Sequence, residues 1–145
     1  MARVKLYLPE NVLGTFRIPV RITDINYGNH LGNAALVEII HEVRVQFLQT
    51  HGFTELNAGG IALIMNELVV EYKNESFYND HLIITVSCGD ITKVSFELYY
   101  EISVVRDQEK FLIAIAKTGM VGYDYTVKKV TAISNEMKEI LNAQM

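Results

Sequence analysis

At 145 residues, half of them apolar, the chain is long enough for one domain with a real core and too apolar to stay disordered. A formal charge of -4 without any run of Lys and Arg excludes broad nucleic-acid binding. Cys88 stands alone, so no internal disulfide forms, and no stretch supplies the roughly 20 uninterrupted apolar residues of a membrane helix. Arg3, Lys5, Pro9 and Glu10 interrupt what a signal peptide would keep apolar, so a cytoplasmic protein with no membrane or nucleic-acid partner is expected.

The first apolar alternation, Val4, Leu6 and Leu8, stops at Pro9. Residues 15–22 read as a strand, with Phe16, Ile18, Val20 and Ile22 on one face and Arg17 and Arg21 on the other. Pro19 removes a ladder donor, which predicts an edge position or a bulge. A polar loop, Asp24 to Asn33, then feeds directly into a helical pattern over residues 33–50. Leu36, Ile40, Val43 and Phe47 recur at spacings of four, three and four, and Ile39, Leu48 and Val37 widen the stripe, so the helix is expected to be covered over much of its circumference. Asn33 is the expected N-cap and Gly52 the stop. A buried helix entered through such a loop offers free backbone N–H groups beside side chains that can act on a bound carbonyl.

After Gly59-Gly60 the period changes to two. Strands are predicted over 61–73, 82–88, 94–104 and 111–125, with turns at Tyr78 to His81, at Gly89-Asp90 and at Asp107 to Lys110. The last strand is apolar on both faces, which suits a central or doubly covered position. Cys88 falls in mid-strand and reads as a small core residue. Residues 132–142 read as a short terminal helix. Short turns between consecutive strands enforce antiparallel pairing, so the chain reads as a single α+β domain over 1–145, an antiparallel sheet wrapped around a long central helix. Exposed sheet edges and the outward Tyr99, Val105 and Tyr123 predict at least a homodimer.

At the loop and helix the sequence resembles hotdog-fold acyl-CoA thioesterases of the 4-hydroxybenzoyl-CoA thioesterase type, over roughly residues 14–125. The family pattern is Asp-x-Asp-x-x-Gly-His-Val-Asn-Asn, then Glu-Glu-Ala-Arg on the helix. Asp24, His30 and Asn33 match the first, and His41-Glu42-Val43-Arg44 falls at the second without a gap. Tyr78-Asn79-Asp80 stands where the family has a Tyr-Gly-Asp turn. The resemblance implies the hotdog fold, hydrolysis of an acyl-CoA or acyl carrier thioester, a homodimer or homotetramer with sites between subunits, and an oxyanion held by the N–H of Asn33. It places Tyr27, Gly28, His30 and Gly32 around the substrate. Coenzyme A enters only as part of that substrate, and no separate cofactor is implied.

Three departures bear on mechanism. The family's catalytic carboxylate position holds Asn26, the glycine before the histidine is Asn29, and the first paired asparagine is Gly32. An amide cannot take a proton from water, although it can orient water or the thioester. Candidate bases are Asp24 and Glu42, which are favoured, and His41 or Glu38 on the helix. Each has a structural reading as well: Asp24 as a turn cap, Asn26 as an Asx-turn residue, His30 as a partner of the loop backbone, and Glu42 with Arg44 as an ion pair at a subunit interface. Glu38 and His41 resemble half a carboxylate metal site but lack the other half, so no metal is expected. Lys73, Lys93, Arg106, Lys128 and Lys129 are all candidates for the coenzyme A phosphates. The alternative to an enzyme is a non-catalytic thioester-binding protein that lost its carboxylate at Asn26. A hotdog dehydratase fits less well.

Overall fold

The structure, a computed structural model, describes residues 3–143, so the single unit expected over 1–145 has its first two and last two residues outside the described span. The elements are β1 (Asn11–Pro19), α1 (Asn33–Gln49), β2 (Ala62–Tyr72), β3 (His81–Ile91), β4 (Ser95–Arg106), β5 (Glu109–Asp124), β6 (Lys129–Thr131) and α2 (Asn135–Asn142). The sheet runs in the order β1-β3-β4-β5-β2, every pair antiparallel, and β6 folds back on the end of β5. This is the α+β architecture anticipated above, and α1 lies against one face of the sheet. Leu36, Ile40, Val43 and Phe47 of the helix join Ile84, Val86, Leu98, Tyr100, Ile102, Ala114, Ala116 and Met120 of the strands in one core. Burying each of the larger side chains contributes about 1.5–3 kcal/mol.

Several local expectations are corrected. The first strand begins at Asn11 and ends at Pro19; Ile22 leaves it for a single 3-10 turn, Ile22–Asp24, and is exposed. β1 is an edge strand, one of the two positions Pro19 predicts, and its register shift lies between Val12 and Gly14. Residues 3–10, including the Val4, Leu6, Leu8 alternation, form an arm without regular structure. Gly89-Asp90 is not a turn. β3 continues to Ile91 through a bulge, and a Cβ at Gly89 would sit 2.6 Å from the Tyr99 ring, so packing rather than turning requires the glycine. The three-residue β6 is too short for periodicity to reveal. On α1, Glu38, His41, Glu42, Val45 and Gln49 stay exposed in the protomer, so the helix is covered on one side only. Its end follows expectation: Phe53 N–H bonds Leu48 O and Gly52 N–H bonds Gln49 O, with Gly52 at φ 74°, a Schellman motif.

One irregularity shapes the end of the sheet beside the N-terminus of α1. Ile102 pairs with Ala114, but Ser103 pairs with Leu112, so Ile113 is an unpaired bulge residue on β5. Its carbonyl accepts the N–H groups of Lys73 (2.8 Å) and Asn74 (3.2 Å), and Leu112 O accepts the Asn74 side-chain amide at 2.7 Å. The segment leaving β2 is thereby fastened beside the N-terminus of α1.

Candidate active site

The loop from Asp24 to Gly32 closes on itself. Asn26 N–H donates to His30 O (2.9 Å) and Asn29 N–H to Asn26 O (3.1 Å), while the Asn26 side-chain oxygen accepts from Gly28 N–H at 2.9 Å and His30 N–H at 3.4 Å. Asn26 thus spends its carbonyl on the loop as an Asx turn. Asn29 takes φ 67° where the resemblance has glycine, and Asn79, in the second glycine position, takes φ 72°. Asparagine is the side chain that best tolerates this left-handed region, so both departures keep the backbone shape.

Asp24 is buried, and its carboxylate accepts Arg21 N–H at 2.8 Å and the Arg21 guanidinium at 3.3 and 3.2 Å. Burial alone would raise its pKa; the hydrogen bonds from Arg21 and the guanidinium charge outweigh that and hold the carboxyl below the usual carboxylate range. Asp24 O then accepts Gly32 N–H at 3.0 Å, which fixes the approach to the helix.

The N-cap is Gly32, one residue before the expected Asn33, and glycine has no side chain with which to cap. Among the described residues, the N–H groups of Asn33, Ala34 and Ala35 therefore find no acceptor, and they lie at the positive end of the helix dipole. Tyr72 donates its hydroxyl to Asn33 O at 2.9 Å, tying this turn to the end of β2.

A cleft of about 220 Å³ opens at this point, lined by His30, Gly32, Asn33, Tyr72, Glu75 and Ser76 among others. Its floor is Leu36 and Ile113; its rim is the fastened segment 73–76. Leu31 N–H bonds Ser76 O at 2.7 Å, joining the loop to that rim. Behind the rim, Asp80 accepts the Ser76 hydroxyl (2.7 Å), Phe77 N–H (2.8 Å) and Arg106 Nη2 (2.5 Å), and Arg106 also donates to Glu75 O at 3.2 Å. His30 Nε2 lies 3.9 Å from the Glu75 carboxylate, and its Nδ1 lies 3.3 Å from Leu31 O. Assigning the proton to Nδ1, where a carbonyl can accept it, leaves Nε2 as the basic nitrogen.

The sequence candidates separate accordingly. His30, Gly32 and Asn33 line the cleft, whereas Asp24, Asn26, Tyr27, Gly28 and Glu42 do not. Glu42 lies on the exposed flank of α1, where it accepts a hydrogen bond from Gln46 at 2.9 Å and faces a groove shared with Arg17, Arg21 and Glu38. Glu42 and Arg44 are not a pair: two residues apart, they point to different sides of the helix. Arg44 is buried and bonds Glu55 at 2.8 Å, and His41 meets the other Glu55 oxygen at 2.7 Å rather than Glu38. Glu75 and Ser76 went unnoticed in the sequence because segment 73–76 has no periodicity. The only available signal was its place between a strand and the Tyr78-Asn79-Asp80 turn.

The family model described as the thioesterase-like superfamily matches residues 20–141. The chain belongs to this superfamily. Its fold is the hotdog of solved thioesterases. A 1,4-dihydroxy-2-naphthoyl-CoA thioesterase from Synechocystis is similar with a TM-score of 0.77 at 17% identity, over 88% of this chain and 93% of that one. A gentisyl-coenzyme A thioesterase gives 0.75 at 18% identity, over 88% and 99%. A hypothetical protein of Staphylococcus aureus, solved in complex with CoA, gives 0.78 at 17%, over 95% and 85%. No curated protein matches the sequence at a significant level. Within this thioesterase-like chain, no helix among the described residues is long and apolar enough to cross a membrane.

Proposed function

We propose that the protein hydrolyses a coenzyme A thioester in the cleft at the N-terminus of α1. The observation that carries this reading is the convergence, in one cleft, of uncapped helix N–H groups, the His30 imidazole and the Glu75 carboxylate. The thioester oxygen accepts from the first-turn N–H groups near Asn33, where the negative charge of the tetrahedral intermediate is stabilised by fixed donors. His30 Nε2 removes a proton from the attacking water, and Glu75 and Leu31 O stabilise the imidazolium. When the C–S bond breaks, that proton passes to the departing sulfur. Glu75 and His30 thus fill the role left open by Asn26, in preference to Asp24, which is locked to Arg21, and to Glu42, which faces away from the cleft.

A homodimer or homotetramer belongs to the same reading. β2 forms an edge of the sheet, its Met65 is 42% exposed, and Val45 on α1 is 39% exposed. The second reading, a non-catalytic thioester-binding protein, is favoured by Asn26, whose amide occupies the family's carboxylate position and is consumed by the loop.

Thiol release from short, long and aromatic acyl-CoA substrates tests the choice, using wild type, His30→Ala, Glu75→Gln and Asn26→Asp. His30→Ala is expected to lower kcat by about 10²–10⁴, with Glu75→Gln falling less. A wild type that binds acyl-CoA but releases no thiol, with activity appearing in Asn26→Asp, would establish the binding-protein reading instead.

A further inference from the structure

The cleft is small, and its inner end is apolar. Its volume of about 220 Å³ falls below the roughly 300–1,000 Å³ of pockets that enclose a drug-sized ligand. At roughly 30 Å³ for a group the size of a water, that space holds on the order of seven such groups. The carbon, oxygen and sulfur of a thioester take about three of them, which leaves room for about four carbons of acyl chain. The floor residues, Leu36 and Ile113, are buried members of the protein's own core. Nothing bound at the open side of the cleft, a second subunit included, deepens that end.

The floor is also stiff. Ile113 is the bulge residue of β5, its carbonyl is held by the N–H groups of Lys73 and Asn74, and Ala114 beside it is fully buried. A β-branched side chain has little rotamer freedom, and a close-packed core does not give way to added methylenes. The polar lining is engaged elsewhere: Lys73 Nζ lies 2.6 Å from Glu71, the Asn74 amide donates to Leu112 O, and the Ser76 hydroxyl donates to Asp80. An acyl group that ends in a carboxylate would meet no donor at Leu36 and Ile113, and its desolvation there is unfavourable. The Glu75 carboxylate on the rim repels such an anion as well.

We propose that Ile113 and Leu36 set the length of the acyl group, so that the cleft takes a short, uncharged aliphatic chain and turns away long-chain, aromatic and dicarboxylic ones. This rests on the reading that the cleft holds a thioester. With the carbonyl oxygen at the first-turn N–H groups near Asn33, the acyl carbons point inward along Leu36 and stop at Ile113. The thiol portion leaves by the open side.

The test is kcat/KM for acetyl-, butyryl-, octanoyl-, lauroyl-, benzoyl- and succinyl-CoA, with wild type, Ile113→Val and Ile113→Ala. Wild type is expected to prefer butyryl-CoA over octanoyl-CoA by about tenfold or more. Ile113→Ala is expected to move the preference toward octanoyl-CoA, and Ile113→Val to move it less far in the same direction. A ratio between two substrates reads the floor and not the amount of folded enzyme, and the milder Ile113→Val serves if Ile113→Ala fails to fold. Activity that rises with chain length in wild type, a preference for benzoyl- or succinyl-CoA, or an unchanged ratio in the variants would overturn the assignment. If no thioester is cleaved, calorimetric titration with the non-hydrolysable thioether analogues of butyryl- and octanoyl-CoA separates the two ideas. Tighter binding of the butyryl analogue supports the length limit while the hydrolase reading fails; equal or tighter binding of the octanoyl analogue overturns the limit.

Discussion

Two arginine–carboxylate clusters, chemically alike, serve this molecule differently. Arg106 and Asp80 stand behind the cleft, and their remaining bonds go to the Ser76 hydroxyl, Phe77 N–H and Glu75 O. Arg44 and Glu55 stand on the flank of α1. Their companions are the His41 imidazole and, in the core below, the Tyr100 hydroxyl, which shares a hydrogen bond with Thr118. The first cluster holds the main chain of the residues that line the cleft. The second ties a loop to a helix and satisfies a buried cation. An ion pair's chemistry therefore says little about its role, whereas the backbone it grips says a great deal.

Removing the acid from each cluster would separate the two. Glu55→Ala leaves the buried Arg44 uncompensated, and a loss of about 3 kcal/mol is expected in denaturant unfolding. Thiol release per folded molecule should stay near wild type, because Glu55 does not line the cleft. A collapse of activity with stability preserved would erase the distinction.

Asp80→Ala should cost less, about 2 kcal/mol, since Arg106 is partly exposed and can reach water. Its effect on turnover should nevertheless be the larger, because the 75–77 backbone loses its anchor. This contribution has a pH signature. Burial alone would raise the Asp80 pKa, but the bonds from Arg106, Phe77 N–H and Ser76 hold its folded value below the ordinary one. The stabilisation is therefore fully present above the unfolded pKa of about 3.9 and is lost as pH falls through the folded value. Unfolding curves of wild type and Asp80→Asn should converge only in that acid window.

The smallest effect is expected at Asn79, between Phe77 and Asp80. Asn79→Gly exchanges a tolerated left-handed asparagine for the residue that adopts φ 72° freely, and should change stability by no more than about 0.5 kcal/mol. A larger loss would mean that the Asn79 side chain itself supports the rim.

The strands and the helix were legible because burial imposes a period, and Leu36, Ile40, Val43 and Phe47 or Val94 to Val104 display it plainly. The entry loop was legible through its resemblance, down to His30 and Asn33 at the cleft. Glu75 was not, since nothing in Lys73-Asn74-Glu75-Ser76 repeats. Its position follows from a bulge at Ile113, 38 residues from Glu75 in the sequence. Arg44 was misassigned because its acid, Glu55, comes from the loop after the helix, a partner no helical spacing can indicate. The arm of residues 3–10 shows in the sequence only the alternation of Val4, Leu6 and Leu8, while its anchor, Glu71, lies in β2.

The strand order also sets a sequence of assembly. β3, β4 and β5 are consecutive hairpin neighbours, whose short loops close cheaply. β2 pairs only with β5, across the whole length of β3 and β4, so its docking waits on the rest of the meander. The cleft needs the tail of β2, the bulge of β5 and the helix end together. It is consequently expected to form late in folding, after the β3–β5 meander.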